Sequence, residues 1–121
     1  MNNEYDLQSY KVVLVGESGV GKTSIIHYFI YEKFDDRVLS TVSVSFVSKE
    51  MNFNERNIKF DIWDTAGQER FHSLAKIFYE NSNVAILVYD ITKRDSFEKI
   101  KNYWYKEIHE NCGDINKFNF N

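Results

Sequence analysis

The chain has 121 residues, of which 43% are hydrophobic and 17% aromatic, and a formal net charge of −3 at pH 7. This composition fits one folded domain, provides no basic surface for nucleic acid, and contains no apolar run near the roughly 20 residues of a membrane span. Because the N-terminus lacks a secretion signal and the single cysteine, Cys112, excludes an internal disulfide, we expect a soluble cytoplasmic domain.

The first third of the chain predicts a strand, a helix and a loop. Residues 10–15 form a β-branched run that ends at Gly16, which is typical of a buried strand. The apolar spacing over residues 22–31 predicts a helix, and the polar stretch at residues 32–40 predicts a loop.

The rest of the chain continues this alternation. Residues 42–46 and 58–63 alternate apolar and polar side chains and predict two strands, with a turn near residues 52–57. Residues 70–79 predict a helix, residues 84–89 a strand covered on both faces, and residues 96–110 an amphipathic helix that carries Trp104 on its apolar side. Strands separated by helices predict an α/β fold with a mostly parallel sheet.

The octet GESGVGKT, at residues 16–23, lies between the first predicted strand and the first predicted helix. Gly16, Gly21, Lys22 and Thr23 satisfy the phosphate-loop pattern G-x-x-x-x-G-K-[ST]. Glycines let backbone N–H groups turn toward an anion, and the helix N-terminus adds partial positive charge. Lys22 can reach terminal phosphates, and the Thr23 hydroxyl can bind Mg²⁺. The alternative is a simple glycine turn before a helix.

The stretch DTAGQERF, at residues 64–71, narrows the chemistry, because a phosphate loop alone also suits an ATPase or a small-molecule kinase. Asp64 directly follows the strand predicted at residues 58–63, where its carboxylate can hold magnesium through water. Gly67 can bring a backbone N–H close to a γ-phosphate, and Gln68 can orient an attacking water. The alternative is a polar loop between a strand and a helix.

Together these motifs resemble those of the Rab proteins, in the Ras superfamily of small GTPases. The matching segments are GESGVGKT, TVSVSF at residues 41–46, WDTAGQERF at residues 63–71 and LVYDIT at residues 87–92. The resemblance extends over residues 8–114, and residues 71–92 are similar to an early-endosomal branch. It implies a P-loop NTPase fold of the small GTPase type. The alternative of an ATP-dependent P-loop enzyme is disfavoured by DTAGQE.

The resemblance also implies an activity and partners. The protein would be a switch that binds GTP and GDP with Mg²⁺ and slowly hydrolyses GTP to control vesicle and endosomal trafficking. A guanine-nucleotide exchange factor, a GTPase-activating protein and effectors would be its partners. A prenylated full-length form would reach endosomal or other vesicle membranes.

Residue roles carry over from the family by position. Gln68 would be catalytic, and Phe34 would pack on the edge of the guanine. Magnesium would be bound by Thr23, by Thr41 in the triphosphate state, and by Asp64 through water. The effector surface would comprise Phe46, Trp63 and Phe78. The nucleotide would be held by Gly16, Ser18, Gly19, Val20, Gly21, Lys22, Thr23, Ser24, Phe34, Thr41 and Gly67.

Two positions depart from the family pattern. The switch segment usually reads T-I-G, whereas this chain has Thr41-Val42-Ser43, which narrows the accessible backbone angles. After residue 114 the family continues with an apolar strand and then N-K-x-D, whereas this chain reads INKFNFN. We therefore expect a GTPase domain at residues 10–114 that lacks its last two strands and helices, between an N-terminal tail (1–9) and a tail outside the family pattern (115–121).

This expected truncation has consequences for stability. The strand at residues 84–89 would become an edge, and Val13, Val15, Ile86 and Val88 would be partly exposed, which predicts aggregation or unfolding and weak binding of GTP with little preference over ATP. The competing hypothesis is a non-catalytic fragment that keeps a partial effector surface but does not bind nucleotide stably.

Overall fold

The computed structural model describes residues 7–32, 45–64 and 75–112, and a four-stranded sheet is their centre. Its strands are β1 (Gln8–Val15), β2 (Ser45–Phe53), β3 (Arg56–Asp64) and β4 (Val84–Leu87), in the order β2-β3-β1-β4. β1 runs parallel to both β3 and β4, whereas β2 and β3 are antiparallel. The predicted α/β fold with a mostly parallel sheet is therefore confirmed.

β2 and β3 form a hairpin with a tight turn. Phe53 pairs with Arg56, and the intervening Asn54 and Glu55 have positive φ angles of 50° and 66°. Two consecutive residues with positive φ match the twist of a hairpin and suit a two-residue turn. The turn thus lies within the predicted range of 52–57, while β2 runs to Phe53, well beyond the predicted end at Phe46. Residues 42–44 lie outside the described ranges.

The helices follow the sequence pattern with one difference. α1 (Lys22–Tyr31) has the predicted bounds, and α2 (Ala75–Tyr79) is the described part of the helix predicted at residues 70–79. The predicted helix at residues 96–110 consists of α3 (Arg94–Lys99), a π-helical segment (Ile100–Trp104) and α4 (Tyr105–Asn111) in direct succession. In the ranges described, no helix combines the length and apolarity needed to cross a membrane.

Apolar clusters lie on both faces of the sheet. On one face, Val13 and Val15 pack with residues of α2, the π-helical segment and α4, among them Phe78, Trp104 and Ile108. On the other face, the cluster consists of Val12, Leu14, Ile26, Ile62 and Val88. Successive residues of β1 serve opposite faces because side chains alternate along a strand.

The structure corrects two predictions about burial. The strand at residues 84–89 is not covered on both faces: it ends at Leu87, and Val84 and Ile86 are 42% and 41% exposed. The expected partial exposure is confirmed for Ile86 but is wrong for Val13, Val15 and Val88, which are buried. Val13 and Val15 are buried because α2, the π-helical segment and α4 cover their face of β1, and Val88 is buried in the opposite cluster with Ile26 of α1.

Val84 and Ile86 border an apolar groove on the α1 side of the sheet. The groove has a volume of about 620 Å³ and is lined by apolar side chains from α1 and all four strands. Phe29 and Phe60 meet edge-to-face in its wall, with ring centroids 6.3 Å apart. One face of β4 is therefore packed against the core, while the other opens into this groove.

Candidate nucleotide-binding site

The loop between β1 and α1 requires glycine at two of the predicted positions. A Cβ at Gly16 would lie 2.2 Å from the carbonyl oxygen of Val88, so the loop passes too close to the chain after β4 for any side chain. Gly21 has a φ of 107° and directly precedes α1, a conformation that L-residues with side chains rarely adopt. The octet therefore forms a tight turn into a helix, as the phosphate-loop interpretation requires.

Lys22 is held inside this turn. Only 4% of the residue is exposed, and its Nζ donates hydrogen bonds to the carbonyl oxygens of Gly16 and Glu17, both over 2.9 Å. A buried ammonium needs such partners, because an uncompensated charge inside a protein is costly. These contacts fix a positive charge against the loop backbone, which suits the binding of an anion.

Thr23 and Asp64 meet at the end of the sheet. Thr23 is the second residue of α1, and Asp64 is the last residue of β3, which is adjacent to β1. The Thr23 hydroxyl donates to Oδ2 of the buried Asp64 over 2.6 Å. Mg²⁺ prefers oxygen ligands and usually keeps several waters, so this neighbouring hydroxyl and carboxylate fit a magnesium site beside the loop.

The remaining predicted ligands fall into two groups. Ser18 and Gly19 are exposed in the loop, whereas Val20 and Ser24 are half-buried, Val20 against the cluster on the α1 face. Four others, Phe34, Thr41, Gly67 and Gln68, lie outside the described residues. The structure thus brings together the loop, Lys22, Thr23 and Asp64.

The three aromatic residues of the predicted effector surface form one stack. Phe46 and Trp63 have ring centroids 5.2 Å apart, and Trp63 and Phe78 are 6.5 Å apart, both in edge-to-face geometry. Exposure falls along the stack, since Phe46 is 51% exposed, Trp63 is half-buried and Phe78 is 1% exposed. Phe46 and Trp63 can therefore touch a partner, while Phe78 supports Trp63 from below.

Lys11 holds this stack and was not predicted from the sequence. Its Nζ lies 4.5 Å from the centre of the Trp63 ring and donates to the carbonyl oxygens of Ile77 and Glu80, each over 2.8 Å. Burial lowers the pKa of Lys11. The sequence contained one signal for these contacts: Lys11 is a single lysine beside the apolar residues of β1, and a partly buried lysine needs polar partners.

The LVYDIT motif has a structural role. The Asp90 carboxylate accepts hydrogen bonds from the backbone N–H and the hydroxyl of Thr92, over 2.8 and 2.6 Å, and these bonds lower the pKa of Asp90. The buried Ser96 accepts a hydrogen bond from the Asp90 N–H over 2.9 Å. The motif therefore fixes the turn that leads from β4 into α3.

Cys112 is part of the core. It is buried at the end of α4, in the cluster with Val13 and Trp104. Burial raises the pKa of its thiol to about 11, although a hydrogen bond with Ser82 and the charge of Lys11 oppose this effect. Since the thiolate is the reactive form, this cysteine is chemically inert near neutral pH.

The contact between Glu17 and Trp104 was also missed. The indole Nε1 donates to Glu17 Oε2 over 2.8 Å, although the residues are 87 positions apart in the chain. The predicted packing role of Trp104 is confirmed by its complete burial. No local pattern could have indicated its hydrogen bond to the loop.

Known proteins are similar to this chain in sequence. The Ras family model matches residues 11–120. Over 106 residues the chain is 51% identical to Ras-related protein Rab-21 of Homo sapiens, covering 88% of this chain and 47% of that protein. It is 46% identical over 113 residues to the GTP-binding protein YPT52 of Saccharomyces cerevisiae, covering 87% of this chain and 48% of that one. The chain thus spans about half the length of the curated relatives it matches, and it belongs to the Ras family.

Proposed function

We propose that this protein is a Rab-type guanine-nucleotide switch that binds GTP and GDP with Mg²⁺ and slowly hydrolyses GTP. The observation that carries the proposal is the convergence of Lys22, Thr23 and Asp64 at the loop between β1 and α1. Membership of the Ras family and the similarity to Rab-21 support it.

Each of these residues would serve one part of the ligand. Lys22 and the loop backbone would hold the terminal phosphates, and Phe34 would pack on the guanine. Thr23 and Asp64 (through water) would hold the metal, with Thr41 joining them in the triphosphate state. A bound Mg²⁺ would neutralise charge on the phosphate oxygens, as in other P-loop proteins.

Hydrolysis would be achieved mainly by positioning. Gly67 would place an N–H near the γ-phosphate, and Gln68 would orient the attacking water. Asp64 would anchor the start of this segment, because its buried carboxylate is fixed to Thr23 at the end of β3.

The cellular role would follow from the aromatic stack of Phe46, Trp63 and Phe78. Exposed aromatic side chains on a rigid sheet are typical anchors for protein partners. An exchange factor, a GTPase-activating protein and effectors would act on the switch, and the similarity to Rab-21 points to endosomal trafficking.

The second candidate is a protein that keeps part of this aromatic surface without binding nucleotide stably. The apolar groove of about 620 Å³ favours it, because Val84 and Ile86 leave apolar area in contact with water. Such exposure lowers stability relative to a fully covered sheet.

Nucleotide titration of the purified chain distinguishes the two candidates. We expect saturable binding of fluorescent GTP and GDP analogues that is lost when EDTA removes Mg²⁺. The described residues would contact the phosphates and the metal rather than the base, so ATP should compete with GTP at similar concentrations. Absence of binding, in a chain with a cooperative thermal transition, would favour the second candidate.

Thr23→Asn is expected to shift the nucleotide preference toward the diphosphate by about tenfold or more. The γ-phosphate depends more on the metal than the β-phosphate does, and the substitution removes the hydroxyl that would bind the metal. The ratio of GTP to GDP affinity measures the shift. Thr92→Asn makes the same chemical change in the turn before α3 and should leave the ratio unaltered. An equal loss of both affinities in Thr23→Asn would contradict the assignment.

Gln68→Leu should slow hydrolysis by at least about tenfold while GTP affinity stays within about twofold, since water positioning matters only in the chemical step. Single-turnover measurements with saturating protein separate the two quantities. Gln8→Leu is the matched control, because Gln8 is exposed at the start of β1 and contacts only Tyr10 among the hydrogen bonds described. Equal rates in Gln68→Leu and the unmodified chain would remove Gln68 from the mechanism.

A further inference from the structure

The indole of Trp104 is bonded to the phosphate-binding loop through Glu17. Trp104 Nε1 donates to Glu17 Oε2 over 2.8 Å, and the backbone carbonyl of Glu17 accepts from Lys22 Nζ over 2.9 Å. We propose that Trp104 and Glu17 are positioning residues that set the loop around Lys22 for phosphate binding. This inference rests on the proposed function, which assigns Lys22 to the phosphates.

Trp104 is a rigid anchor for such a link. It is completely buried, and it packs in the cluster that contains Val13 and Val15, near the end of β1 that leads into the loop. Its ring meets Tyr103 edge-to-face, with centroids 4.9 Å apart. The donor nitrogen is thus fixed relative to the sheet, and the hydrogen bond extends this order to Glu17.

The π-helical segment determines where this anchor points. Trp104 is the last residue of that segment, between α3 and α4. A π turn contains more residues than an α turn, so it rotates the side chains that follow, and such turns occur often at functional sites. In this chain the indole N–H at the end of the π-helical segment lies within hydrogen-bond distance of Glu17 in the loop, and α4 continues along the core.

The link also fixes the direction of the Glu17 carboxylate. A carboxylate beside a phosphate-binding loop would repel the anion or compete with it for Lys22. The indole N–H directs this carboxylate toward the π-helical segment, through a charge-assisted hydrogen bond that is stronger than a neutral one. The backbone carbonyl of Glu17 meanwhile accepts a hydrogen bond from the Lys22 ammonium. The loop is therefore preorganised before the ligand arrives, which lowers the cost of binding.

Two neutral variants isolate the hydrogen bond from the charge. Glu17→Gln removes the charge but keeps an acceptor for the indole, whereas Glu17→Ala removes both. We expect Glu17→Ala to bind a fluorescent GDP analogue about threefold to tenfold more weakly than Glu17→Gln. Trp104→Phe keeps an aromatic ring without the donor and should lose affinity by a similar factor. In the Glu17→Ala background, Trp104→Phe should weaken GDP binding further by less than about twofold, since the link is then already absent.

A matched control lowers the stability of the protein without changing the hydrogen bond between Trp104 and Glu17. Ile108→Val shortens a buried side chain of α4 in the same cluster. It should lower the thermal transition as Trp104→Phe does but leave GDP affinity within about twofold. If both variants lose affinity in proportion to stability, the role of Trp104 is only structural and the proposal is overturned.

A second measurement needs no nucleotide. Brief treatment with acetic anhydride, followed by peptide mass spectrometry, reports how accessible Lys22 is, with Lys59 on β3 as internal reference. We expect faster labelling of Lys22 in Glu17→Ala and Trp104→Phe, and no change in Glu17→Gln or Ile108→Val. Unchanged labelling in all four variants would overturn the inference. If Lys22 labelling follows the expected pattern but the chain binds no GDP, the link between Trp104 and Glu17 is supported and the proposed function is refuted.

Discussion

Lys22→Ala is expected to weaken the binding of both GTP and GDP by at least about 100-fold, because removal of one partner from a buried charged contact costs several kcal/mol. The phosphates would lose the only lysine that the described loop holds against its backbone. The carbonyl oxygens of Gly16 and Glu17 would also lose their donor, so the loop would open as well.

Titration with fluorescent nucleotide analogues measures this loss. Lys59→Ala is the control, since it also removes a lysine but from a half-exposed position on β3 that pairs with Asp61 at 3.6 Å. Exposed pairs of this kind contribute little, so its affinity and its thermal transition should match those of the unmodified chain. Unchanged affinity in Lys22→Ala would show that this residue lies outside the phosphate site.

Local patterns predicted the elements that carry the loop. The bounds of α1 agree with the apolar spacing of residues 22–31, and β1 contains the predicted β-branched run. Both succeed because the preference is local: β-branched side chains favour a strand, and a glycine turn with helical apolar spacing favours a helix. β2 extends beyond its predicted end because it is an edge strand, where polar residues such as Lys49 and Glu50 are compatible with pairing.

Features that depend on distant partners could not be predicted in this way. The exposure of Ile86 and the burial of Val88 differ although both lie in one apolar run, because the cover comes from other elements. The hydrogen bonds of Lys11 and the link between Glu17 and Trp104 join residues 66 to 87 positions apart. Sequence spacing contains no information about such pairs until the topology is known.

The candidate site lies between these cases. Lys22, Thr23 and Asp64 were predicted by motif, and the 2.6 Å contact of Thr23 with Asp64 follows from topology. β1 and β3 are parallel neighbours, so α1 and the end of β3 meet at one edge of the sheet. Ligands of open α/β sheets commonly bind at this edge. The close approach of Gly16 to Val88 required the structure, since β4 is what brings the two together.

Gly16→Ala is expected to lower the free energy of unfolding by about 3 kcal/mol, combining the cost of overpacking with that of a strained backbone. The new Cβ would lie 2.2 Å from the backbone carbonyl oxygen of Val88, and φ at this position is 151°. A backbone carbonyl cannot rotate away as a side chain can. Relief therefore requires separation of the loop from the chain after β4, where Val88 N–H donates to the Val15 carbonyl over 2.8 Å.

Gly19→Ala provides the comparison, because it adds the same methyl group in the same loop without an overlap. The φ angle of Gly19 is 78°, so alanine is strained there, but nothing lies within 4 Å of the added Cβ. The expected loss is about 1 kcal/mol, from backbone strain alone. Urea denaturation of both variants measures the difference, which should be about 2 kcal/mol with similar slopes. Equal losses would mean that the contact between Gly16 and Val88 does not constrain the loop.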